Sequence, residues 1–253
     1  MHTEVCSYIA LASAHQQHIQ YTFYKFSDTA MTVPWNHTFG AIIAGPSRAG
    51  KSTFLAKLLK FRNEMIIPSP DKVYYCYSEW QPLYETECFS DVEFHHGELC
   101  IDVLNKEENN LVIYDDLLSE CSENIEMMFT KYSHHRNTSV IFITQNIFQK
   151  NKYMRTMSLN ASYLVLFKNP RDIKQIQYLS SQMYPKKSNF LVESFDDATS
   201  KPFGYLMIDL CQQTPEELRV RTGIFPDEKT YIYIPKQKTK SLERYVVNKK
   251  DHE

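Results

Sequence analysis

The sequence predicts an α/β fold: three layers, with helices on both faces of a mostly parallel sheet. Short apolar runs of the kind that suit strands buried on both faces recur along the chain and alternate with helical periodicity. The first of these runs ends in a glycine turn that opens a helix, and the third ends in two adjacent carboxylates. Both polar tips fall where a parallel sheet presents its ligand crevice, at the carboxyl ends of the strands.

The runs follow in order. Thr38-Phe39-Gly40-Ala41-Ile42-Ile43-Ala44 stops at Gly45, and Phe54, Leu55, Leu58 and Leu59 then share one helical face. Val73-Tyr74-Tyr75-Cys76-Tyr77 is a second, aromatic-rich strand. Leu111-Val112-Ile113-Tyr114 is a third, stopped by Asp115-Asp116. Ile125, Met128, Phe129 and Tyr132 have the i, i+3, i+4, i+7 spacing of an amphipathic helix. Residues 139–144 and 163–167 are the fourth and fifth strands, residues 171–183 a helix opened by Pro170, and residues 205–208 a sixth strand.

Length and composition bound the function. The chain has 253 residues, 43% hydrophobic and 23% charged, which is globular usage and excludes a wholly disordered polymer. We expect a variable amino-terminal arm (1–32), one α/β domain (33–234) and a basic, flexible tail (235–253). The longest apolar runs are far short of the roughly 20 residues that cross a bilayer, and residues 1–13 lack a basic segment ahead of an apolar stretch, so neither a membrane partner nor a secretory leader is expected. A net charge of −2 leaves any handling of nucleic acid to local basic patches. The six cysteines, at positions 6, 76, 88, 100, 121 and 211, form no C-x-x-C pair, and a reducing compartment is expected. His95-His96 and His134-His135 have no convergent ligand set in the sequence and are read as surface or helix-end residues.

Gly45-Pro46-Ser47-Arg48-Ala49-Gly50-Lys51-Ser52 fits G-x-x-x-x-G-K-[ST] at every fixed position, with Thr53 next. A buried strand precedes it and an amphipathic helix follows, which is the context the chemistry requires. The glycines let backbone N–H groups close around phosphate oxygens, and the helix amino terminus adds the positive end of its dipole. Lys51 is expected on the β- and γ-phosphates of ATP and the Ser52 hydroxyl on Mg²⁺. The site therefore binds a nucleoside triphosphate, in a P-loop NTPase fold. Asp115, at the tip of the third strand, is the expected second ligand of the cation. Asp116 suits a base that polarises the attacking water, the alternative being an N-cap of the next helix. Gln145, at the polar tip of the fourth strand, could touch the γ-phosphate or that water, or serve as a turn residue. Arg136, just before that strand, is the first choice for an arginine delivered to a neighbouring subunit's site, with Arg155 and Arg171 as rivals.

These segments, with Ser133-His134-His135-Arg136, Ile143-Thr144-Gln145-Asn146, Ser158-Leu159-Asn160-Ala161 and Phe167-Lys168-Asn169-Pro170-Arg171-Asp172, together resemble one family. They look like the packaging ATPases of Maverick/Polinton-type virus-like transposons and related double-stranded DNA viruses, small relatives of the poxvirus packaging ATPase within the FtsK/HerA group. The resemblance spans roughly residues 33–210, and the segment from 159 to 172 is its most restrictive part. It implies an additional-strand P-loop core, with the strand ending at Gln145 between the loop strand and the Asp115 strand. It further implies a ring homo-oligomer that threads double-stranded DNA into a capsid, contacts with capsid vertex proteins, and a place at the virus assembly site inside the host cell, with possible association with the virion. Many members of the wider group carry Glu where this chain has Asp116.

A DNA pump grips phosphates non-specifically through Lys and Arg, for which Lys150, Lys152, Arg155, Lys186, Lys187 and the tail residues Lys236, Lys238, Lys240, Arg244, Lys249 and Lys250 are available, each with ordinary surface exposure as the alternative. Two other uses of the loop stand beside the motor: a P-loop kinase with a small-molecule acceptor, and a nucleotide-binding structural subunit of a capsid vertex. Asn248-Lys249-Lys250-Asp251 fits the guanine-reading N-K-x-D pattern of a switch GTPase. No apolar strand leads into it and no Asp-x-x-Gly occurs at Asp115, so the match is read as accidental.

Overall fold

The computed structural model describes residues 33–117, 122–148, 151–171 and 173–235. The expected arm (1–32), Lys150, Asp172, the side chain of His134, and the tail beyond residue 235 with its basic residues and the 248–251 tetrad lie outside the described residues.

Along the chain the elements are β1 (Trp35–Asn36), β2 (Gly40–Ala44), α1 (Lys51–Lys60), α2 (Arg62–Met65), β3 (Ile66–Ile67), β4 (Lys72–Tyr77), β5 (Val92–His96), β6 (Asn110–Asp115), α3 (Glu123–Met127), α4 (Ser133–His135), β7 (Thr138–Thr144), α5 (Lys152–Asn160), β8 (Tyr163–Phe167), α6 (Lys174–Met183), α7 (Asn189–Ala198), β9 (Tyr205–Asp209), β10 (Val220–Thr222) and β11 (Tyr231–Ile232). Nine strands form one sheet in the order β11-β10-β9-β8-β2-β7-β6-β4-β5, and β1 pairs with β3 beside it. From β8 through β5 all neighbours are parallel. β9, β10 and β11 extend the sheet antiparallel. Strand β7 lies between β2 and β6, the additional-strand order that the family resemblance implied.

Alternation along the strands divides the core into two layers. Ile43, Ile113, Ile141 and Val165 face α1 and meet Phe54, Leu55, Leu58 and Leu59. Each of these helix side chains is buried and contributes about 2 kcal/mol by its transfer from water. Ile42, Val112, Phe142 and Leu164 face the other way, onto α3, α5, α6 and α7. Burial on both faces is why these strands read as continuous apolar runs. The antiparallel edge is tied by a buried ion pair, Arg221 Nη2 to Asp209 Oδ2 at 3.1 Å.

The helix expected through Ile125 and Tyr132 is present but interrupted: α3 widens into a π-helical turn, Met128–Tyr132, before α4. Here the Thr130 hydroxyl donates to Glu126 O and the Ser133 hydroxyl to Phe129 O. The helix expected from residue 171 begins at Lys174, because Pro170 and Arg171 form a turn pinned by the Asn169 side chain.

The π-turn brings Phe129 onto Gly40 at the start of the loop strand. A methyl group on Gly40 would lie 2.5 Å from Phe129 Cε1, and Phe129 is itself buried. Gly40→Ala is therefore expected to cost about 1–3 kcal/mol by overpacking, measured as a lower urea midpoint, with Phe129→Leu in the same chain recovering part of it. A Gly40→Ala protein as stable as the parent would contradict this close approach.

Candidate nucleotide-binding site

The loop from Gly45 to Gly50 leaves β2 at the carboxyl edge of the sheet and turns into α1. Gly45 N donates to Thr144 O at 3.2 Å, fastening the start of the loop to the end of β7. A Cβ on Gly45 would meet Phe167 Cβ at 2.6 Å, so only glycine fits between β2 and β8 here. Gly50 is the N-cap of α1 with φ +106°, a conformation that side chains disfavour. No side chain caps this helix end and no acidic residue lies in its first turn, so its leading N–H groups and its dipole are open to an anion. Phe203 covers Gly50 from the β9 side.

Lys51 folds back over the loop, donating from Nζ to Gly45 O at 2.7 Å and Pro46 O at 3.0 Å. Burial lowers its pKa, and the charges of Asp115 and Asp116 pull it back up, so all three groups share one electrostatic neighbourhood. Its flexible four-carbon stem would let the ammonium exchange these carbonyls for an anion.

Asp115 ends β6 and is 5% exposed. Its Oδ2 accepts hydrogen bonds from Tyr75 Oη at 2.6 Å and Tyr84 Oη at 3.1 Å. Burial raises its pKa above the ordinary carboxylate range, against the two hydroxyls and Lys51, which lower it. Both phenols are pushed well above their usual pKa, chiefly by burial and then by the Asp115 charge, and so remain donors.

The donor types suit Mg²⁺. Asp115 offers a carboxylate and Ser52 a hydroxyl, both hard oxygen donors, and among the described residues no cluster of three or more His, Cys, Asp or Glu converges on a point. A cation that keeps its waters and borrows phosphate oxygens needs no more from the protein.

Asp116 is exposed and has φ +53°, in the left-handed region that Asp tolerates better than most residues. It does not cap the following helix. That role belongs to Ser122, whose Oγ accepts from the N–H groups of Asn124 and Ile125. Gln145 follows β7 directly and its Nε2 points at Asp116 Oδ1 across 3.5 Å, at the outer limit of a hydrogen bond. A crevice at this edge is lined by Gly45, Gln145, Phe148, Asn169, Ile176 and Phe195.

Arg136 is placed elsewhere. It caps the far end of α4, and the seven residues of β7, at about 3.3 Å each, set it roughly 23 Å from Gln145. It is therefore no part of its own chain's site. Arg171 follows β8 at the loop's edge of the sheet, and Arg155 lies exposed on α5. Tyr75, Tyr84 and Phe203 are site residues that motif reading missed, because no motif carries them.

No family model and no curated protein matches the chain. Among solved structures, the genome packaging NTPase B204 of Sulfolobus turreted icosahedral virus 2 in complex with AMP is 14% identical, covering 70% of this chain and 95% of its own with a TM-score of 0.42. The KaiC-like protein PH0186 of Pyrococcus horikoshii OT3 is 11% identical, covering 79% and 91% with a TM-score of 0.40. The P4 protein of bacteriophage phi13 is 12% identical, covering 56% and 57% with a TM-score of 0.33. Likeness this distant assigns neither activity nor partner, and the α/β class of this chain is read from its own strand order.

Lys51→Ala removes the one ammonium in the loop. Titration of a fluorescent ATP analogue is expected to show affinity at least about tenfold weaker, from the loss of a charge-assisted contact. Unchanged affinity would contradict the loop's role.

Proposed function

We propose that this chain is a Mg²⁺-dependent ATPase that works as a ring of identical subunits to drive double-stranded DNA into a capsid. One observation carries the hydrolytic part: β7 lies between β2 and β6, which sets Gln145 beside Asp116 at the edge where burial lowers the pKa of Lys51 and the charges of Asp115 and Asp116 raise it. A nucleotide binder that only clamps phosphate needs the loop and one acid. A second acid beside an amide, both exposed at this edge, suits a pair that engages one water molecule.

In this reading the loop's N–H groups and Lys51 hold the triphosphate, and Ser52 and Asp115 hold the cation. Bound Mg²⁺ supplies neutralisation of charge on the β- and γ-phosphates. Gln145 would orient the attacking water through its amide, and an Asp116 carboxylate oxygen would accept its proton. The water would attack the γ-phosphorus in line as the bond to the β–γ bridging oxygen breaks, ADP leaving. Arg136 cannot reach its own loop, so its use is at a neighbour's site, where an arginine makes turnover depend on assembly; Arg155 and Arg171 are the rivals.

The DNA-pumping part rests on the sequence resemblance to Maverick/Polinton-type and poxvirus-related packaging ATPases of the FtsK/HerA group. Lys152, Arg155, Lys186 and Lys187 are exposed and available for phosphate contacts. Capsid vertex proteins and the intracellular assembly site come from the same resemblance.

The test is steady-state ATPase activity with Mg²⁺, with and without long duplex DNA, at two salt concentrations. DNA should stimulate turnover, and the stimulation should fade with salt as counterions compete for the phosphates. Asp116→Asn should bind ATP normally and lose at least about a hundredfold in turnover. Turnover indifferent to DNA would move the chain to a small-molecule kinase or a vertex subunit, and unchanged turnover in Asp116→Asn would leave that carboxylate without a catalytic role.

A further inference from the structure

We propose that Tyr84 is a positioning residue for the cation-binding carboxylate, holding one oxygen of Asp115 so that the other is presented to the metal. This rests on the nucleotide reading above. Among the described residues, the hydrogen bonds that reach the Asp115 carboxylate both end on Oδ2, from Tyr75 and from Tyr84. A carboxylate fixed through one oxygen by two hydroxyl donors loses its rotational freedom. Its free oxygen then meets a cation with the orientation already set, which is the usual contribution of groups behind a metal ligand.

The two tyrosines differ in how they are held. Tyr75 is wholly buried in β4, and the sheet itself fixes it. Tyr84 comes from a short 3₁₀ turn, Pro82–Glu85, in the connection between β4 and β5. Its ring packs against Tyr75 at 4.8 Å, Phe94 at 5.3 Å and Trp80 at 5.4 Å between centroids. Trp80 is 49% exposed and donates from Nε1 to Glu85 Oε1 at 3.2 Å. The grip on Asp115 therefore extends through one aromatic cluster to the protein surface, and Tyr84 is its member outside the sheet.

Tyr84→Phe keeps the ring and removes the hydroxyl. In the full chain, the affinity of a fluorescent non-hydrolysable ATP analogue is followed as free Mg²⁺ is raised from EDTA conditions. The variant should need about tenfold more Mg²⁺ for the half-maximal effect, with unaltered analogue affinity in EDTA. A Mg²⁺ midpoint equal to the wild type overturns the inference. So does an equal loss of affinity in EDTA and in Mg²⁺, which marks Tyr84 as a packing residue. A wild-type protein that binds the analogue without any response to Mg²⁺, or not at all, overturns the nucleotide reading and this inference with it.

Discussion

The hydrogen-bonded insertion of β7 between the loop strand and the acid strand is the constraint on which the rest depends. Its register, Ile43 with Ile143 on one side and Asp115 with Ile143 on the other, brings the three strand ends level. The Gly45 to Thr144 bond then fixes the loop's departure relative to β7. With the strands packed on both faces, their tips cannot slide independently. Polar groups at three separate places in the sequence are thereby held on one short edge of the sheet.

Burial supplies the second constraint. Asp115 sits where a lone carboxylate would be costly, and the protein offsets this with two hydroxyl donors and the field of Lys51. Lys51 carries the complementary cost and is steadied by Asp115, Asp116 and the loop carbonyls. Each of these opposed charges thus lowers the cost of burying the other. Asp116 and Gln145, by contrast, are exposed.

The sequence made the central strands legible because they are buried on both faces: β2, β4, β6, β7 and β8 all appear as apolar runs. It hid β5, an edge strand whose Glu93, His95 and His96 break any apolar run, and β10 and β11, which are too short to carry a period. Helix α5 buries Met154 and Met157 and little else, leaving a weak stripe. The loop and the acids were readable because their chemistry demands fixed spacing. Strand order was not readable from periodicity, which is silent on which strands pair, and entered through the family resemblance alone. Tyr84 reaches Asp115 from a distant connection, and a hydroxyl recruited through tertiary packing leaves no local pattern. The alternative of Asp116 as a helix cap was open in the sequence and closes on Ser122, which does that work.

The most direct measurement of the central claim is a double-mutant cycle on the single-turnover rate of ATP hydrolysis, using Asp116→Asn, Gln145→Ala and both together. If the two side chains act on one water, the double variant should be scarcely slower than Asp116→Asn alone, because the second loss falls on a step already disabled. Losses that multiply independently would mean that Asp116 and Gln145 serve different steps, and the joint site formed by the insertion of β7 would not hold.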